Sequence, residues 1–145
     1  GKTTTYLYER ESKPVRRRED RARGGKTAYE IAAEKTAALA GRRLSPAARK
    51  QLGQRLHWGI GILSGILYSV LRRNRTDGGL VRGLGAGALF GTGVWLLVDE
   101  AANVALGLTP APAKFPWQAH ARGLAGHLVL GMAAEGVLQA ANRAA

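Results

Sequence analysis

The sequence predicts an all-α, polytopic membrane helical bundle: about three spanning helices on residues 46–145, behind a basic amphipathic N-terminal arm on residues 1–45. Three observations predict it. Leu56–Leu71, Gly83–Val98 and Gly123–Ala141 are apolar, glycine-rich runs that share one formal charge, Glu135, the composition of helices that live in lipid. No segment shows the period-two alternation of a half-buried strand. Charge is also partitioned: residues 1–55 hold fifteen Lys/Arg against six Asp/Glu, residues 56–145 seven against four.

The arm begins with a mildly apolar stretch, and Thr5–Tyr8 reads as the last turn of a preceding membrane helix. The chain opens on Gly1 rather than Met, which suggests a processed or truncated product, and no signal-peptide pattern opens it. Arg16, Arg17 and Arg18 begin a charge run that continues to Arg23 and reads as solvated or headgroup-facing. After Gly24-Gly25, Thr27 with Glu30 forms a capping-box start. The alanine-rich helix Ala28–Leu39 follows and Gly41 ends it.

Ser45-Pro46 is a second helix start, with Ser as N-cap and Pro in the first turn. Nothing interrupts that helix before Asn74. Its basic first part runs into the 16-residue apolar stretch Leu56–Leu71, about 24 Å long at 1.5 Å per residue. Arg55 and Arg72 flank the stretch and would snorkel to close the gap to the full hydrocarbon thickness. Residues 72–79 read as a tight polar turn, placed on the cytoplasmic side because of Arg72, Arg73 and Arg75. Leu80–Val98 re-enters the membrane and ends at Asp99-Glu100. The Pro-rich stretch Thr109–Trp117 cannot be helical, and a last helix covers about Gln118–Asn142. Trp117, Phe115 and Trp58 or Trp95 suit anchoring at headgroup level.

Gly83, Gly87 and Gly91 form a GxxxGxxxG stripe, and a helix face without side chains lets a partner backbone approach closely. Gly61 with Gly65, and Gly123 with Gly126 or Gly131, offer matching faces on the neighbouring helices. Dinucleotide binding is excluded because no strand precedes these glycines. Gly1-Lys2-Thr3 and Gly25-Lys26-Thr27 echo a phosphate loop but lack its upstream glycine; position 20 is Asp20.

Ionisable residues at membrane depth are costly and must face protein, water or a partner. His120, His127, Gly131, Glu135 and Asn142 share one face of the last helix. With His57, Asp99 and Glu100 from the other spans, His127 and Glu135 form the candidate polar or ion site. His127 and Glu135 lie two turns apart, about 12 Å, too far to ligate one metal, so no metal is expected. The chain has no cysteine and so no disulfide or thiolate site. No cofactor can be named. An HExxH pattern, a catalytic carboxylate pair and a nucleophile beside a histidine are all missing from the motifs, so an enzyme is not expected.

The net charge of +12 and pI near 11.1 would ordinarily suggest nucleic acid. Here the basic residues flank apolar spans, and Glu19-Asp20 dilute the arginine run. The expected partners are therefore the lipid bilayer and its anionic headgroups, contacted by Arg16, Arg17, Arg18, Arg55, Arg72, Arg73 and Arg75, with no nucleic acid.

The helix opening His57-Trp58-Gly59, the span ending in Trp95 and Asp99-Glu100, the connection Gly107-Leu108-Thr109-Pro110 and the later Gly126-His127-Leu128-Val129 together resemble the YagU-like family. These are bacterial inner-membrane proteins grouped under a domain of unknown function. Where that family would place a His-Glu pair, this chain has Asp99-Glu100. The resemblance covers His57–Leu138 and implies a small multi-pass bacterial membrane protein, without an activity. Two functions follow as expectations. The first is a structural or accessory subunit packing through glycine faces into an oligomer or larger complex. The alternative is a small proton or ion conduit using the His, Glu and Asp residues above.

Overall fold

A computed structural model describes residues 2–73 and 79–144, and the described residues are all-helical apart from short connections, with no strand among them. Arg75 lies outside the described residues. The arm folds as three helices, α1 (Lys2–Arg10), α2 (Lys13–Arg23) and α3 (Ala28–Leu39). Three long helices follow: α4 (Pro46–Arg72), α5 (Gly79–Val94) and, after α6 (Asn103–Ala105), α7 (Trp117–Ala144). Between α5 and α6 the chain winds as a π-helix over Trp95–Ala102, so Gly79–Ala105 is one continuous helical rod.

Helix ends follow local chemistry. The Thr27 hydroxyl accepts from the Glu30 amide at 3.2 Å, while the Glu30 carboxylate accepts from the Thr27 amide at 2.8 Å. This closes the capping box that the sequence predicts. That backbone bond, joined by the Thr27 hydroxyl and the Arg49 charge, holds the Glu30 carboxyl below its ordinary range against the opposing effect of burial. The box therefore contributes fully above the ordinary carboxylate range, and its contribution is lost as pH falls through the lowered value. Thr27→Ala is expected to cost about 1 kcal/mol locally, read as faster hydrogen exchange of the first-turn amides of α3. Unchanged exchange would contradict a capping role. Ser45 caps α4 by accepting from Ala48 at 3.2 Å, with Pro46 in the first turn. Gly24 and Gly41, at φ 59° and 67°, reverse the chain after α2 and α3, a left-handed conformation natural to glycine.

The long helices run up, down and up. α5 and α7 form an antiparallel hairpin at backbone contact: Gly83 faces Glu135, Gly87 faces Gly131 and Gly91 faces His127. Four residues forward on one helix match four back on the other. α4 lies against this hairpin more loosely. At one end it meets α7 through the Tyr68 and Arg72 side chains. At the other it meets α3, where Gly53 lies so close that a Cβ would stand 3.1 Å from the Glu30 amide nitrogen.

Burial is inverted relative to a water-soluble fold. Among the described residues, the buried apolar side chains are Ala33, Ala37 and Tyr68, while Glu19, Glu30, Asn103, Arg122 and Glu135 are buried with them. The large aliphatic residues face outward: Ile62, Leu63, Ile66, Leu67, Val70 and Leu71 on α4, Val81 and Leu89 on α5, Val137 on α7. Hydroxyls inside these stretches fold back onto their own helix, Ser69 to the Gly65 carbonyl and Thr92 to that of Ala88, each at 2.9 Å. Two helices are long and apolar enough to cross a membrane, Gly79–Ala105 and Trp117–Arg143. α4 is not one of them, since its apolar stretch is shorter and bounded by arginines.

Candidate functional site

The glycine stripe is spent inside the chain. A Cβ at Gly83, Gly87 or Gly91 would lie closer than 3.0 Å to an atom of α7, and at Gly87 and Gly91 that atom is a main-chain carbonyl oxygen, of Gly131 and His127. Gly131 is equally tight against the Gly87 carbonyl, and Gly126 faces the Thr4 methyl of α1. Gly61 and Gly65 make no such approach: a Cβ at either would meet nothing within 4 Å. A void of about 30 Å³ separates them from Phe90, Leu130 and Gly131. Among the described residues, neither glycine therefore makes the close backbone approach that its spacing suggests.

The five candidate ionisable residues fall into two places. Glu135 stands by itself at the end of the bundle where α4 stops and α5 begins, fully buried. Its Oε2 accepts from the Tyr68 hydroxyl at 2.5 Å and Arg72 Nε at 3.1 Å; its Oε1 accepts from Arg72 Nη2 and Gln139 Nε2, both at 2.8 Å. Arg72 thus grips the carboxylate with both arms of its fork, the strongest geometry for such a pair. Gly83 leaves room for the cluster, since a Cβ there would strike Glu135 and Gln139. Two readings change as a result. Arg72 is half-buried on a carboxylate rather than turned to a headgroup, and Glu135 has no contact with Asp99, Glu100 or His57.

The other four gather where the arm meets the loop end of the bundle. The π-helix turns less per residue than the ~100° of an α-helix, which swings the consecutive Asp99 and Glu100 toward α7 together. Glu100 Oε1 lies 2.6 Å from His120 Nδ1, while His120 Nε2 lies 3.1 Å from the Pro112 carbonyl. Both ring nitrogens therefore face oxygen, which needs either an imidazolium beside a carboxylate or a neutral ring beside a carboxylic acid. His127 Nδ1 donates to the Gly123 carbonyl at 3.0 Å and stands 3.8 Å from Asp99 Oδ2. His57 packs edge-on to Tyr29, ring centroids 4.8 Å apart. Burial, then the Asp99 charge, pushes the Tyr29 phenol up to about 12.

Of these groups all but His127 border a cavity of about 660 Å³, whose walls include Tyr29, His57, Asp99, Glu100, Asn103 and His120. A volume of this size suits a small organic molecule. No cluster of three or more His, Cys, Asp or Glu that could hold a metal occurs among the described residues.

The arm is stitched down rather than free. Arg122 of α7, almost fully buried, donates to Glu11 and, at 2.5 and 2.6 Å, to both oxygens of the buried Glu19, which also pairs with Arg23. Tyr8 covers Arg122 with its ring, the guanidinium 5.0 Å from the centroid. Lys35 Nζ donates to the Leu106 carbonyl at 2.7 Å. Of the arginines expected at headgroups, Arg17, Arg55 and Arg73 are exposed, Arg18 donates to the Ala113 carbonyl at 3.3 Å, and Arg16 lies partly covered over Tyr8. Sequence reasoning missed Arg122 and Glu19 because each sat inside a segment summarised by its average charge or apolarity. The one available signal was a lone arginine within the last apolar helix.

Compared with protein-family models, with curated proteins and with solved structures, the chain matches none of them.

Proposed function

We propose that the chain is a small integral membrane protein, with α4, the Gly79–Ala105 rod and α7 as its spans, that serves as a structural or accessory subunit of an oligomer or larger membrane complex. One observation carries this reading. The residues that should be buried in water are on the outside, and the inside holds glycine backbone and ion pairs. A continuous band of exposed Ile, Leu and Val on α4 is left uncovered by the described residues, and lipid or a neighbouring subunit is the environment that accepts it. Arg55, just before the apolar stretch of α4, then reaches a headgroup. The glycine seam is occupied within the chain, so contacts to other subunits fall to the aliphatic faces. The bacterial inner membrane is the proposed location, on the resemblance to the YagU-like family.

Extraction from native membranes in mild detergent tests this. The chain is expected to resist alkaline washing and to elute in a particle heavier than one copy, with defined companions. Release by alkali would overturn the membrane reading, and a lone monomer the subunit reading. A second reading, a small proton or cation conduit, draws on two neighbouring carboxylate–imidazole couples, Glu100 with His120 and Asp99 with the more distant His127. Glu135 adds little to it, because all its lone pairs point at donors. Asp99→Asn abolishing a proton flux in liposomes would favour this reading, and an unchanged flux would end it.

A further inference from the structure

Asp99 is the unspent carboxylate of the 660 Å³ cavity. The cavity's other ions are largely taken: Glu100 by His120 at 2.6 Å, Lys26 by Glu34 at 2.8 Å, Arg23 by Glu19 at 2.5 Å, and Glu30 by its own helix cap. Among the described residues no donor reaches the Asp99 carboxylate at hydrogen-bond distance. His127, the nearest, is 3.8 Å away and gives its Nδ1 proton to the Gly123 carbonyl. Around it stand groups that accept hydrogen bonds or attract cations, the Asn103 amide, the Tyr29 hydroxyl and ring, and the His57 ring, backed by apolar wall from Val104, Leu108 and Phe115. A partly buried carboxylate wants a counter-ion. A wall of carboxylate, amide and phenol oxygens beside aromatic rings suits an alkylammonium, which has three donors and a cation for the ring faces. An apolar wall suits the carbon chain behind it.

We propose that this cavity binds the ammonium end of an amphiphilic amine, with Asp99 as its counter-ion. The group comes either from a soluble alkylamine or from an aminophospholipid headgroup. In the second case its phosphate faces Lys50, on the same wall and two turns of α4 from His57, about 10 Å. The lipid source rests on the membrane reading above; the soluble source does not.

The test is isothermal titration of the detergent-purified full chain with hexylammonium chloride and, separately, hexanol. The unaltered protein is expected to prefer the amine, and Asp99→Asn to lose that preference with about a tenfold weaker binding of the amine and little change for hexanol. Equal binding of amine and alcohol, or an Asp99→Asn protein that still prefers the amine, overturns the proposal. Among the described residues Asp99 makes no hydrogen bond, so Asp99→Asn should keep its helix content and elution volume. Should it not fold, titration of the unaltered protein still decides, because absence of an amine preference alone is disqualifying. Repeating the titration in nanodiscs of phosphatidylethanolamine and of phosphatidylglycerol separates the sources. Weaker amine binding only in the first assigns the site to a lipid headgroup, and equal binding in both assigns it to a soluble amine. Failure here leaves the membrane and subunit reading untouched, since neither alkaline washing nor particle mass depends on Asp99.

Discussion

Arg72→Met is expected to destabilise the bundle by about 3–5 kcal/mol, the cost of leaving a buried carboxylate without its partner. Glu135 is fully buried, and of the four donor contacts it receives from Tyr68, Arg72 and Gln139, two come from Arg72. The Tyr68 hydroxyl and the Gln139 amide would remain, but neither carries charge. α4 would then keep only the Tyr68 bond at this end, so the loss should appear as release of α4 from the α5–α7 hairpin. Denaturant unfolding in detergent micelles measures it. The double variant Arg72→Met with Glu135→Met should recover most of the loss, because removing both partners leaves no charge stranded. A single variant as stable as the unaltered protein would show that the pair is dispensable.

Gly87→Leu is expected to be among the most damaging changes in α5. A Cβ at this position would meet the Gly131 carbonyl oxygen and carbon inside 3.0 Å, and Glu135 Cβ at 3.2 Å. Main-chain atoms cannot rotate away as a side chain can, so the two helices must separate along their length. Overpacking commonly costs about 1–3 kcal/mol, and backbone against backbone belongs at or above the upper end. Gly85→Leu is the matched control: nothing lies within 4 Å of its Cβ. Proteolysis and thermal aggregation in detergent should separate the two variants by a wide margin. Similar behaviour would mean that the seam does not hold the hairpin together.

How much of this was legible in the sequence depended on the range of the interaction. Thr27 with Glu30 and Ser45 with Pro46 are caps closed within four residues, and their helix starts read directly from residue type. The Gly83, Gly87, Gly91 spacing likewise marks one helix face. Spacing names a face but not its partner, and so Gly61 and Gly65 carried the same mark without meeting anything. Gly53, which does meet a neighbouring backbone, stands in no stripe. Pairs such as Arg72 with Glu135 and Arg122 with Glu19 are 63 and 103 residues apart, and no local period links them. The arginine run hid Glu19 because a net charge averages out the single carboxylate that turns inward. The π-helix was illegible because its extra residue per turn gives no compositional sign, yet it sets the direction of both Asp99 and Glu100.

The inverted burial is the centre of the account, and the chain lends itself to a direct test because it contains no cysteine. Leu63→Cys on α4, Leu89→Cys on α5 and Leu130→Cys on α7 each replace an exposed leucine and accept a single spin label. In liposomes all three labels are expected to collide readily with dissolved oxygen, which concentrates in the bilayer, and to be shielded from a water-soluble nickel reagent. A label at position 63 that meets the nickel reagent freely, while those at 89 and 130 do not, would contradict α4 as a span, and free access at all three would contradict the membrane account itself.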